Sequence, residues 1–270
     1  AEVALTIVLL VGSGMFVRAL HGLLTQPTAG ATHAAQVLTA WVALPPTAYT
    51  SDEQRIHFFE TLTERLRQEP GVVSATAANT IPSAELGSHE DISAVGQPRP
   101  VDGWLRAQMG IVGVHFLDTY DVRLSAGRFF DARDTAHSLR VTVIDPKTAA
   151  ALWPGRDPLG QQLILYPGKA WAQTVTVVGV IEPLQLDNLL SKAMPGMLLP
   201  LAQAAGQSPL HGVGVAVRTH ADAAAFAPRL TETVRSVDPQ VAAFGVRNQL
   251  HDMAIGRIGL TVLTEVFTAL

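Results

Sequence analysis

Three short runs collect residue types that do chemistry. Ser88-His89-Glu90-Asp91 sets a hydroxyl, an imidazole and two carboxylates on consecutive positions. A helical zinc motif needs His-Glu-x-x-His, which brings two imidazoles onto one face a turn apart. The second His is missing here, so the run reads as a solvated loop. Asp131 and Asp134 bring two carboxylates three residues apart. A calcium loop needs oxygen ligands at alternating positions, and this stretch lacks them, so a turn and a cap are expected. Gly12-Ser13-Gly14 lacks the glycine spacing and the Lys of a phosphate loop. Inside an apolar helix its small residues allow close helix packing instead. The nine His, at positions 21, 33, 57, 89, 115, 137, 211, 220 and 251, form no legible constellation. There is no Gly-x-Ser-x-Gly elbow. With no Cys there is no disulfide, no thiolate zinc site and no Cys nucleophile, an absence that fits any compartment. The expectation is therefore no catalytic residue, no cofactor-binding residue and no metal ligand, with the substrate-binding residues unknown.

The elements around these runs are easier to read. The chain is apolar at both ends: Val3–Val17 carries no charge, and Ile258–Leu270 carries only Glu265. As a helix, residues 1–24 extend about 36 Å, enough to cross a hydrocarbon layer of about 30 Å. A membrane helix is the leading reading, beside a buried core helix or a secretory signal with Ala29-Gly30-Ala31 as cleavage site. The signal lacks a basic start, because Glu2 stands there. Residues 254–270 read as the start of a second membrane helix, whose last thirteen residues reach only about 20 Å and cannot span alone. The missing Met and the apolar end suggest a piece of a larger protein. Arg18 and Arg257 lie on the domain side of their apolar runs, a thin hint of a cytoplasmic domain. The interior has few charges, 16% over the whole chain, and a net charge of -4, with no basic stretch to track nucleic acid.

Residues 25–35 read as a linker. Val37–Leu44 predicts a strand, closed by Pro45-Pro46. Ser51-x-x-Gln54 fits a capping box opening a helix whose Ile56, Phe59, Leu62 and Leu66 share a face, with Glu60 and Glu64 on the other side. Glu69-Pro70-Gly71 ends it, and Val72–Ala78 returns as a strand. The same unit recurs: a strand at Val213–Val217, a helix capped by Asp222 with Phe226, Leu230, Val234 and Val237 on one face and Pro228 in its irregular start, the exit Asp238-Pro239, and a strand at Ala242–Arg247. The two units predict one lobe, with residues 80–205 inserted as the other. That insert reads as mostly strands: Trp104–Val112, Val141–Ile144, Thr174–Ile181 (the strongest) and an edge strand at Met197–Leu201. Short helices are expected at His115–Tyr120 and Thr148–Trp153, and a loop at 183–196. Trp153-Pro154-Gly155 reads as a buried aromatic locking a bend, with Asp157-Pro158 as turn signal.

At this point a family resemblance emerges. Ala1–Leu20 resembles the membrane helix opening the second half of the long, duplicated MacB-like and FtsX-like ABC-transporter permeases. Trp153-Pro154-Gly155-Arg156-Asp157-Pro158-Leu159-Gly160 resembles their W-P-G-x-D-P-[IL]-G turn. Thr176-Val177-Val178-Gly179-Val180 resembles their T-V-V-G-V strand, and Leu117–Phe130, ending Gly127-Arg128-Phe129-Phe130, their helix, strand and G-R-x-F turn. Arg257 resembles the entry to their second membrane helix. Glu182-Pro183 and Asp145-Pro146 depart from the pattern, in loops.

The resemblance implies an α+β fold: a two-lobed extracytoplasmic domain with mixed sheets, flanked by an N-terminal transmembrane helix and the start of a second. The boundaries are 1–24 for the helix and 25–253 for the periplasmic core domain. Lobe one is 32–80 plus 206–253, lobe two 81–205, and 254–270 begins the second helix. It implies a non-catalytic role beside the inner membrane, on its periplasmic side, against the charge hint. The implied partners are a cytoplasmic ATPase, the permease's remaining membrane helices and the lipid bilayer, without nucleic acid or cofactor. Two other classes stay open: a membrane-anchored hydrolase with an inter-lobe site, and a membrane-anchored binding module.

Overall fold

The computed structural model describes residues 14, 18, 32–82, 88–183, 194–205, 213–251 and 253. Of the expected first membrane helix only Gly14 and Arg18 fall among these, both helical and exposed. The expected second helix, 254–270, lies outside the described residues. Among the described residues no helix is long and apolar enough to cross a membrane.

From residue 32 on, the described residues form eleven strands and four α-helices in order: β1 (Val37–Ala43), α1 (Asp52–Gln68), β2 (Val72–Ala78), β3 (Ser88–Ala94), β4 (Leu105–Val112), α2 (Phe116–Tyr120), β5 (Leu124–Gly127), β6 (Val141–Ile144), α3 (Pro146–Leu152), β7 (Gln162–Leu165), β8 (Gln173–Ile181), β9 (Gly196–Pro200), β10 (Val213–Thr219), α4 (Ala227–Val237) and β11 (Ala242–Asn248). All the described strands belong to one hydrogen-bonded sheet of mixed parallel and antiparallel pairs, where mixed sheets in the plural were expected.

The first part of that sheet is open and antiparallel, in the order β11-β1-β10-β2. Both strand–helix–strand units thus lie side by side, with Leu38 opposite Val217 and Asn248, and Ala75 opposite Val217. Strand alternation sends Leu38, Ala40, Val42, Ala75, Ala77, Val213, Val215 and Val217 into the main core. Helix α1 covers that face because its capping box forms as the spacing requires. Ser51 accepts from the Gln54 N–H, and the Gln54 side chain accepts from the Ser51 N–H in return. Ile56, Phe59, Leu62 and Leu66 are all buried, each contributing roughly 1.5–3 kcal/mol relative to exposure. Asp222 caps a 3-10 turn, Ala223–Phe226, before Pro228 opens α4, which buries Leu230 and Val234.

The second part closes on itself. β4 pairs with β3, β3 with β7, β7 with β8, β8 with β6 and β6 with β9, and β9 pairs back onto β4 in parallel. Closure leaves these six strands without a free edge and turns one face of each inward, while β5 pairs only with β8 and stays exposed. Ile92, Met109, Ile111, Leu163, Leu165 and Met197 are each fully buried.

This closure overturns two expectations. The strand at Gly196–Pro200 is no edge: β4 and β6 flank it, and all five residues are buried. Short and apolar, it reads as an edge only while its parallel partner, some ninety residues upstream, is unseen. Ser88-His89-Glu90-Asp91 is no loop but the first half of β3, opposite Met109–Arg106. Its polar side chains occupy a half-exposed strand end, where the hydrophobic alternation that would mark it is lost.

Candidate functional site

The open sheet meets the barrel at a narrow join. Ala78 pairs with Val112; the Asn79 N–H donates to the Ile111 carbonyl at 3.0 Å, the Gly113 N–H to the Ala77 carbonyl at 2.8 Å, and the Ile111 N–H to Asn79 Oδ1 at 2.7 Å. The chain then enters α2, whose Phe116 and Tyr120 wedge between the two parts. A second apolar cluster forms there, joining Val37, Ala78 and Ala216 of the open sheet to Val141, Val143 and Leu198 of the barrel. Ser74 and Thr119 share a hydroxyl hydrogen bond of 2.9 Å beneath it.

Beside this join lies a cleft of about 230 Å³. One wall is the polar stripe of α1: Glu60, Thr63, Glu64 and Arg67, spaced to share a face. The facing wall is Gly113–His115, Ala132, Asp134 and Pro200–Ala202. A second hollow of about 450 Å³ adjoins it, sharing Val114, His115 and Ala132 and adding Leu117, Asp118 and Phe129. Glu64 is paired with Arg67 at 2.9 Å. Glu60 sits at the rim, where burial of its inner side raises its pKa and His57 opposes the rise.

The turn that shapes the facing wall follows from its glycines. Gly127 has φ +75°, and a Cβ there would collide with the Val178 carbonyl; one at Gly179 would collide with the Arg128 carbonyl. Only glycine allows these two backbones to cross so closely. The crossing aims Arg128 as a fork onto Asp134, at 2.7 and 2.8 Å, and Asp134 is 4% exposed. Asp131 accepts from the backbone and side chain of Arg133. Those hydrogen bonds, with Arg128 nearby, hold its carboxyl far below the usual range. Both aspartates are therefore ligands of arginines. They form a turn, as expected, but no helix cap: the Asp131 N–H donates to Asp134 Oδ2 and no helix follows.

The remaining candidates are scattered. His33 lies 3.5 Å from Asp121 and His115 lies 3.7 Å from Asp118. Among the described residues no three His, Asp or Glu side chains are placed to hold a metal ion. Gly12 and Ser13 lie outside the described residues. Trp153 is buried in the main core, with Gly155 at φ +71° and Asp157 accepting from the Leu159 N–H in the turn behind it. Helix α3 starts two residues earlier than expected. Asp145 is its N-cap, accepting from the Thr148 N–H at 2.8 Å, and Pro146 its first residue, a signal present in the Asp-Pro pair itself. Burial raises the Asp145 carboxyl. The cleft wall of α1 was visible only as a polar stripe.

Known proteins resemble this chain in sequence and, for one solved structure, in fold. The model of the MacB-like periplasmic core domain matches residues 3–233. The macrolide export ATP-binding/permease protein MacB 2 of Aeromonas hydrophila is 31% identical over 96 residues, 36% of this chain and 14% of that protein. The periplasmic region of MacB from Actinobacillus actinomycetemcomitans superposes with a TM-score of 0.56 at 15% identity, over 86% of this chain and 96% of that one. The extracellular domain of the noncanonic ABC-type transporter YknZ from Gram-positive bacteria gives 0.48 at 18% identity, over 78% and 97%. The match over most of its length shows that this chain belongs to the family of MacB-like periplasmic core domains.

Proposed function

We propose that the chain is the extracytoplasmic domain of an ABC-transporter permease. It has no chemistry of its own and relays membrane-helix motion to substrate export or mechanical signalling outside the membrane. The open sheet with its helices is lobe one, residues 32–80 and 206–253; the barrel is lobe two, residues 81–205. Residues 1–24 and 254–270 are membrane segments of the same permease, and a cytoplasmic ATPase supplies the motion.

One observation supports this best. The two chain segments nearest the apolar ends converge at one end of the open sheet. Leu38, near the start of β1, pairs with Asn248, the last residue of β11. Asn248 Nδ2 donates to the Ala35 carbonyl at 2.8 Å, and Thr39 Oγ1 to the Arg247 carbonyl at 3.1 Å. Any displacement of one segment is thereby carried to the other and into the sheet, the kind of connected element that coupling requires. The test is Asn248→Ala combined with Thr39→Val in the assembled permease. Substrate movement should fall while ATP hydrolysis continues. Unchanged transport, or hydrolysis and transport lost together, would count against the relay.

A further inference from the structure

The two hollows beside the join form one trough, since Val114, His115 and Ala132 line both. Its floor is apolar: Val114, 40% exposed although hydrophobic, with Ala132, Leu117, Phe129 and Leu201 around it. Most charges on its walls are already matched within the fold. Glu64 has Arg67, Asp131 has Arg133 and Asp134 has Arg128. Two carboxylates are left. Glu60, in the first hollow, makes no ion pair among the described residues and has only the imidazole of His57 acting on its charge there. Asp118, in the second, faces only His115 among the described residues, at 3.7 Å, and is 72% exposed. A negative charge therefore stands in each of the two hollows beside their shared apolar floor, in an open trough rather than the enclosed pocket that small ligands favour.

We propose that this trough docks a segment of a partner protein that is apolar in its middle and carries a basic residue at each end. Glu60 and Asp118 are its counter-charges, and Val114 lies under its centre. Such a segment buries its apolar side chains on the floor, while each cation gains a charge-assisted contact at a partly desolvated rim. The proposal does not depend on the relay, because it concerns binding by the resting domain.

The absence of Cys makes the test clean. Val114→Cys in the full chain is exposed to a bromoacetylated peptide with two lysines flanking a leucine-alanine run, and its rate is divided by that of neutral bromoacetamide. Val101→Cys, on a fully exposed loop, is the reference. The expected result is alkylation at 114 faster than at 101 by about tenfold or more, lost on Glu60→Gln with Asp118→Asn and weakened by salt. Equal normalised rates at the two sites would overturn the proposal. So would equal rates for a glutamate-flanked peptide, or acceleration of a small bromoacetylated alkylamine without acceleration of the peptide. Both carboxylates are exposed, so circular dichroism melting of their variants should match the parent and exclude misfolding.

Discussion

Among the described residues, β11 has a hydrogen-bonded neighbour on one side only, whereas each of the six strands that close the barrel has one on each side, with β5 added outside the ring against β8. In the open sheet, helices α1 and α4 cover the apolar face; in the barrel, the strands cover one another. The difference separates two jobs. The open sheet keeps a free edge and holds the two segments that lead towards the apolar ends, while the barrel spends its strand pairing on self-closure and presents loops and turns. Yet the two are not independent, since one buried cluster runs through both and α2 wedges a second across the join. Large apolar contacts of this kind make relative motion costly, so both parts should unfold in a single transition.

Trp153→Ala tests that coupling most severely. The ring is buried on the barrel side in the shared core, and its loss should cost about 3–5 kcal/mol. The melting temperature reported by far-ultraviolet dichroism should fall together with that reported by a probe on α1. Two separated transitions would show that the parts are autonomous. Asp134→Ala should follow, at about 2–4 kcal/mol, because it strands Arg128 beside a buried site. Asp131→Ala, whose partner Arg133 is 76% exposed, should leave the melting temperature unchanged within error. If the two aspartates behave alike, the buried fork does not organise the turn.

Gly127→Ala adds a collision with the Val178 carbonyl to a positive φ, and about 1–3 kcal/mol is expected. Gly155→Ala meets nothing within 4 Å and should cost only its backbone conformation, about 1 kcal/mol. Equal losses would mean that the β5–β8 crossing relaxes freely.

The smallest effect belongs to the open sheet. The Tyr49 hydroxyl donates to Asp238 at 2.7 Å, and burial together with that carboxylate raises its pKa to about 12. A raised pKa stabilises the fold while pH is below the unfolded value of about 10, and the benefit is lost as pH climbs towards the folded value. Tyr49→Phe should therefore make the alkaline fall in stability between about pH 10 and 12 shallower. Tyr166, also raised to about 12 by burial, keeps part of that fall in place. An identical alkaline profile in the variant would remove Tyr49 from the account.

The same contrast explains what was legible beforehand. α1 could be read almost whole, because its cap, its apolar stripe and its Pro-Gly exit are local signals. The paired strand–helix–strand units likewise announced themselves by repetition. Barrel closure could not be read, since the β4–β9 pairing joins Val112 to Pro200 with no local mark of parallel partnership. β7 leaves no mark in the sequence because its four residues, Gln162–Leu165, are too few for a period to show. At the cleft, Glu60 and Glu64 were visible as a polar face, but what they face depends on where Gly113–His115 returns. The Arg128–Asp134 fork needed the Gly127–Gly179 crossing, a contact between strands fifty residues apart.

The central claim is that this domain stands outside the cytoplasmic membrane, and one labelling experiment tests it most directly. In intact cells, a membrane-impermeant maleimide is applied to the Cys-free chain carrying Val101→Cys, at a position fully exposed on the barrel. The account predicts labelling without lysis, to the same extent as after lysis. Labelling that appears only once the cells are broken would contradict it.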